Sequence, residues 1–352
     1  MNRPLIFPVS TSSSQIQGLN HLRLLAALLV FLQHSLSSSH LDEWIDIGGF
    51  RIGRIGTAIF FLLSGYLSAV TTRKPATWLK DRLVFLFPAY WIVTLAGFFL
   101  AWVTATKSFD SWQFLSQMLG TGYLTHGDHI VNVATWFMSP LLLLYCTVTL
   151  VRLTNARYTL PLIILGMCAA AVAKEAEFAA TRCHAVTFLT AFAVGVVEPR
   201  RRVMGAMVMA GLFVILSFIQ PEFRYGATAA ILLIPAFYIR TELSLSRSFT
   251  KIAYEWFLVH GLCLAIVNHL TSNAWVILAG GGLLAIAAAA FLHAVVLRLR
   301  SVTPAVMSHL WRMMNNWPVK SRRSALHAEI QQGIGNNSPD ATSRCAVESV
   351  VR

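Results

Sequence analysis

Acidic residues are scarce in this chain, 15 Asp and Glu in 352 residues against 28 Lys and Arg, and charged residues of every kind make up only 12%. A soluble globular chain carries roughly 25%. With 56% hydrophobic residues and a mean hydropathy of +0.62, so few charges cannot cover a water-facing surface. Strict alternation of polar and apolar residues is also lacking, which argues against a barrel of the outer-membrane type. The five cysteines, Cys146, Cys168, Cys183, Cys263 and Cys345, have none of the spacings that metal sites or disulfide frameworks use. No metal site is expected. A compact charged start before the first apolar run is missing too. Met1 to Gly18 holds Arg3 as its one basic residue, so Leu24–Leu32 reads as part of a retained helix and not as a signal-peptide core.

What the chain does have is apolar runs of roughly 17 to 25 residues, enough to cross a hydrocarbon layer of ~30 Å at 1.5 Å per residue. In lipid the backbone must satisfy its own hydrogen bonds, and helices do so within one segment. The expected fold is an all-α integral membrane protein, a bundle of about ten transmembrane helices. Spans are expected near 19–37, 54–72, 83–105, 134–151, 159–173, 184–198, 203–219, 225–239, 252–269 and 275–297. Ser111–Tyr123 is too short and polar to span, and is expected as an interfacial or re-entrant segment. Residues 1–18 form an N-terminal tail, 19–298 the membrane domain and 299–352 a basic, partly disordered tail.

Basic residues stay with cytoplasmic loops. With the N-terminus inside, 21 of the 28 fall on inner segments and six, Arg51, Arg54, Lys107, Lys174, Arg182 and Arg224, on outer ones. Both termini are therefore expected to be cytoplasmic. The same asymmetry accounts for the net charge of +13 as topology and contact with anionic lipid. No nucleic-acid-binding motif accompanies it, and no nucleic-acid partner is expected.

An ionisable group within a span costs ~2.5–3.5 kcal/mol at a helix centre on insertion scales, so each marks a site. The first helix holds Arg23 and His34, eleven residues apart. At 100° per residue they share one stripe, ~16 Å apart along the axis. A guanidinium suits phosphate or carbonyl groups, and an imidazole takes a proton from a hydroxyl near neutral pH. Gly53–Tyr66 combines small residues suited to close helix approach with Ser64. Lys251–His260 adds Tyr254, Glu255 and His260 to a polar track through the bilayer.

Four segments in order resemble one family, the membrane-bound acyltransferase family 3, which O-acylates bacterial polysaccharides, lipopolysaccharide O-antigens and Nod factors. Leu19–His34 is similar to its first helix, with an Arg, ten residues and a His. Gly53–Tyr66 resembles its second, with Phe60-Phe61 and Ser64-Gly65-Tyr66. Leu79–Trp91 resembles the basic loop and Pro-x-Tyr-Trp opening of the third helix, and Tyr254–His260 the late helix ending in Leu-x-His. The resemblance extends over roughly residues 15–300. Two positions depart from the pattern. Phe85 stands where the loop's second Arg is usual, and Leu142 or a neighbour, in the segment Trp136–Tyr145, stands where a Glu is frequent.

The resemblance implies an acyl donor, generally acetyl-CoA, on the cytoplasmic side, and a lipid-linked saccharide acceptor near the outer face of a bacterial inner membrane, with no bound cofactor. Catalysis would rest on His34 and Arg23. Arg82 and Ser64 are donor-binding candidates, and Tyr254, Glu255, His260 and Trp136 would line the path. His34 would act as general base for direct transfer, or the acyl group would rest first on a protein nucleophile. The lack of an appended outer domain favours an O-acetyltransferase of exopolysaccharide or O-antigen. The rival from another class is a flippase or exporter of a lipid-linked saccharide, against which stands the lack of an internal repeat or of paired broken helices.

Overall fold

The computed structural model describes residues 13–39, 41, 46–47, 49–104, 109–154, 159–172, 179–241 and 243–315. The expectations for residues 1–12 and for the tail beyond 315, with Cys345, lie outside them. Contacts divide the chain into a compact unit, Met1–Val296, which holds every candidate site residue, and a second, Leu297–Arg352.

The helices are α1 (Ser13–Ser38), α2 (Ile52–Val70), α3 (Pro75–Thr104), α4 (Ser111–Met118), α5 (Gly122–His126), α6 (Met138–Thr154), α7 (Thr159–Val172), α8 (Ala179–Val196), α9 (Arg202–Ser217), α10 (Phe223–Ala236), α11 (Ser244–Leu270) and α12 (Ala274–Asn315). A short antiparallel hairpin of β1 (Asp46–Ile47) and β2 (Phe50–Arg51) precedes α2. The chain is thus an all-α, multi-pass membrane protein. Among the described residues, seven helical stretches are long and apolar enough to cross a bilayer: 17–38, 52–70, 75–104, 133–154, 179–196, 244–270 and 274–301. The other three expected spans fall on α7, α9 and α10, of 14, 16 and 14 residues, or ~21–24 Å against a hydrocarbon layer of ~30 Å.

α2 is the central element, in contact with α1, α8 and α10. Its glycines allow this. A Cβ on Gly56 would lie 2.4 Å from the Ala26 carbonyl oxygen of α1, and one on Gly65 would lie 2.0 Å from the Phe188 carbonyl oxygen of α8. Backbones this close leave no room for any side chain, the small-residue contact that lipid-embedded helices use in place of a hydrophobic drive.

Each end of the bundle is tied by buried or half-buried arginines. At the end bearing Thr71–Lys74, the basic end, Arg152 of α6 donates to the carbonyls of Arg73 at 2.6 Å, Thr71 at 3.4 Å and Ser68 at 3.5 Å. These are acceptors that the end of α2 leaves without helical partners. Arg73 pairs with Asp81. Arg202 donates to the Tyr66 hydroxyl at 3.1 Å. At the opposite, hairpin end, Arg224 bonds the carbonyl of Gly49, whose φ of +82° suits a residue without Cβ. Arg54 pairs there with Glu222.

One stretch differs from expectation. Leu79–Arg82, expected as a basic loop, is helical, because α3 starts at Pro75, a residue preorganised for a first helical turn. Ser111–Tyr123, expected as an interfacial or re-entrant segment, folds back against the middle of α3. The Gln117 carbonyl accepts the Tyr90 hydroxyl, and the Met118 carbonyl accepts Trp91 Nε1 at 2.8 Å. Both donors lie midway along α3. The returning chain is held by Gln117 Oε1, which accepts the Val131 amide at 2.9 Å, and by Asn132 Nδ2, which donates to the Leu258 carbonyl at 3.2 Å.

Candidate functional site

The spacing of Arg23 and His34 on α1 places them in two different cavities along α2. The basic-end cavity, about 220 Å³, is lined by Arg23, Ser64, Arg82, Tyr145, Tyr254 and a group of apolar side chains that includes Phe85. The hairpin-end cavity, about 300 Å³, is lined by Gln33, His34, Arg54, Trp136, His184 and Glu222, among others.

Charge distinguishes the two. The basic-end cavity presents two guanidiniums, and its lining includes no carboxylate. Arg23 is oriented by a hydrogen bond to Asn20 Oδ1 at 3.3 Å. The Arg82 guanidinium lies 5.7 Å from the Trp78 ring centre, with the Arg152 guanidinium 5.6 Å from the same ring. Such cation–ring contacts hold an arginine in place at low solvent exposure. Walls of low dielectric concentrate the positive field on whatever enters, so this cavity favours an anionic group. Tyr254 fixes the cavity edge by donating to the Leu86 carbonyl at 2.9 Å, next to Pro88, which removes one helical hydrogen bond from α3. Phe85 lies against Tyr254, ring centres 5.6 Å apart, so the position expected of a second Arg supplies an aromatic wall.

In the hairpin-end cavity the basic Arg54 is matched by Glu222, and the remaining lining mixes imidazoles, hydroxyls, a carboxamide and aromatic faces. Such a surface suits a polar, hydroxyl-bearing ligand: aromatic planes pack on ring carbons while the polar groups take hydroxyls. The Gln33 carboxamide oxygen accepts the Gly53 amide at 2.7 Å. His260 of α11 stands behind His34, ring centres 5.1 Å apart, and is 1% exposed. His260 Nε2 is buried without a hydrogen-bond partner among the described residues.

Of the residues expected from sequence, Arg23, Arg82, Ser64 and Tyr254 come together in one cavity, and His34 and Trp136 in the other, with His260 in contact with His34. Glu255 joins neither. Its buried carboxylate shares a hydrogen bond with His293 Nδ1 of α12 at 2.9 Å. Gln33, Thr57, Tyr145, His184 and the Arg54–Glu222 pair were not expected. Tyr145 closes the segment that opens at Trp136, and so had a local signal. The others arrive through the close packing of α1, α2, α8 and the start of α10. Among the described residues no group of three or more His, Cys, Asp or Glu is placed to hold a metal ion.

Comparison with known proteins gives a match to one family model, described as an acyltransferase domain, over residues 16–173. Neither a curated protein nor a solved structure matches the chain. The matched stretch contains Arg23, His34, Ser64, Arg82 and Trp136, so over residues 16–173 the chain is similar to an acyltransferase domain.

Proposed function

We propose that the protein is a transmembrane O-acyltransferase that moves an acetyl group from cytoplasmic acetyl-CoA to a hydroxyl of a bacterial exopolysaccharide or O-antigen unit, carried as a lipid-linked saccharide. The carrying observation is the pair of cavities on one helix pair, one with Arg23 and Arg82 and no lining carboxylate, the other with His34 and a polar lining in which Arg54 is matched by Glu222. An acyl-CoA is an anion through its phosphates, which bidentate guanidiniums hold well. Its thioester is the far end of a long flexible arm, suited to a cavity that leads inward from a charged mouth.

His34 then serves as the base that takes the hydroxyl proton as the oxygen attacks the thioester carbonyl, with His260 packed behind it. Direct transfer requires the reacting atoms to come within ~3–3.5 Å. A covalent relay through a protein nucleophile remains the second route. The charge asymmetry supports ten crossings with both termini in the cytoplasm, the basic end facing in, and residence in a bacterial inner membrane. In this orientation α7, α9 and α10 cross as short helices, which a bilayer accommodates by local thinning.

The test uses sealed inner-membrane vesicles carrying the protein, given acetyl-CoA labelled in the acetyl group. Label is expected in the lipid-linked saccharide fraction only when acetyl-CoA is supplied at the basic face. Saccharide translocation without label transfer would replace the reading with that of an exporter.

A further inference from the structure

The two cavities abut at one side chain. Thr57 of α2 is the residue common to the linings of both. One helical turn further, Phe61 lines the basic-end cavity. Its ring lies parallel to His184, 5.4 Å between centres with 6° between planes, and stacks on Trp136 at 6.1 Å. His184 and Trp136 line the other cavity. Phe61 is therefore backed by two rings, and Thr57 is the small side chain in the wall.

Its position is fixed from both sides. The Thr57 hydroxyl donates to the Gly53 carbonyl at 3.0 Å, which locks the rotamer of a β-branched side chain. The backbone cannot withdraw, because Gly53 lies against Gln33 and Gly56 against the Ala26 carbonyl of α1, each with less than 3 Å for an added Cβ. An opening bounded by a locked side chain on an immobile backbone has a set size.

Resting on the reading of the protein as an acyltransferase, we propose that Thr57 sets the acyl-chain length of the donor. In the reaction the acyl carbon leaves the thioester sulfur and bonds the acceptor oxygen, and the hydroxyl proton ends on the coenzyme A sulfur. If donor and acceptor occupy opposite cavities, the acyl group is the leading end of the donor and must pass the wall at Thr57. Each methylene beyond those that fit meets the Thr57 methyl and the Phe61 ring, so short acyl groups pass and longer ones are rejected.

The experiment offers membranes containing the full chain an equimolar mixture of labelled acetyl-, butyryl- and octanoyl-CoA and reads the ratio of acyl groups transferred. Thr57→Ala is expected to raise the butyryl-to-acetyl ratio by about tenfold or more, the discrimination one or two methylenes give in an apolar pocket. Thr57→Ser, which keeps the hydroxyl bond to Gly53, is expected to give an intermediate ratio and serves if Thr57→Ala does not fold. Thr57→Leu is expected to lower transfer from every donor while the protein still binds immobilised coenzyme A. An unchanged ratio in folded Thr57→Ala or Thr57→Ser overturns the proposal, as does a ratio that moves only with Phe61→Leu. A wild-type protein that transfers nothing from any of the three donors sinks the acyltransferase reading itself, a separate result.

Discussion

His34 and His260 face each other across α1 and α11 with ring centres 5.1 Å apart, joining the two histidines that most interrupt the apolar pattern of those helices. One lines a cavity and the other does not, so their roles divide. Under the proposed function His34 would meet the ligand, and His260 would set how the His34 ring stands. A displacement of about 1 Å in a reacting group costs on the order of 10²-fold. His260→Ala is therefore expected to lower kcat by roughly ten- to a hundredfold with little change in the KM for acyl-CoA. His260→Phe, which keeps a ring behind His34, should recover part of the loss. A His260→Ala enzyme with full kcat would show that His260 has no positioning role.

Under the proposed function Arg82 would act on the donor alone. It stacks near Trp78 and faces the basic-end cavity, where a charge-assisted hydrogen bond is worth about 1.5–3 kcal/mol. Arg82→Ala should raise the KM for acyl-CoA by about ten- to a hundredfold and leave acceptor saturation unchanged. Saturation curves for each substrate separate this from a general loss of folding, which would lower both.

Arg152 is structural. It satisfies carbonyls of Ser68, Thr71 and Arg73 at the end of α2, and it is 6% exposed. Arg152→Met leaves those acceptors without their donor, at a cost of about 1–3 kcal/mol. The expected result is a lower melting temperature in detergent, partly restored by Arg152→Lys. Equal melting of Arg152→Met and wild type would show that water serves the carbonyls equally well.

Orientation is tested at two exposed positions, Thr72 between α2 and α3 and Ser111 at the start of α4. In a chain without native cysteines, Thr72→Cys, beside the basic end, should react with a membrane-impermeant thiol reagent only after cells are opened. Ser111→Cys, beyond α3, should react in intact cells. The reverse pattern would invert the proposed topology.

The membrane helices were legible because lipid imposes long apolar runs, and the Arg23–His34 stripe was legible because both lie on one helix with a fixed rotation per residue. Partners from other helices left no such trace. His184 reaches the site because Gly65 lets α8 approach α2, and no local pattern around residue 184 announces that contact. Glu255 shows the opposite difficulty. It follows Tyr254 directly, yet a step of 100° turns it toward His293 while Tyr254 lines the cavity. The extension of α3 to Pro75 was hidden by charged residues that read as loop.

The most direct test of the proposed function is the acetyl content of the surface polysaccharide in cells lacking this gene and complemented with wild type, His34→Ala or Arg23→Ala at equal abundance. Acetyl groups are expected to be lost in the deletion and restored by wild type alone, since a general base contributes about 10²–10⁴-fold. Full acetylation with His34→Ala, or an unchanged acetyl content in the deletion, would contradict the assignment.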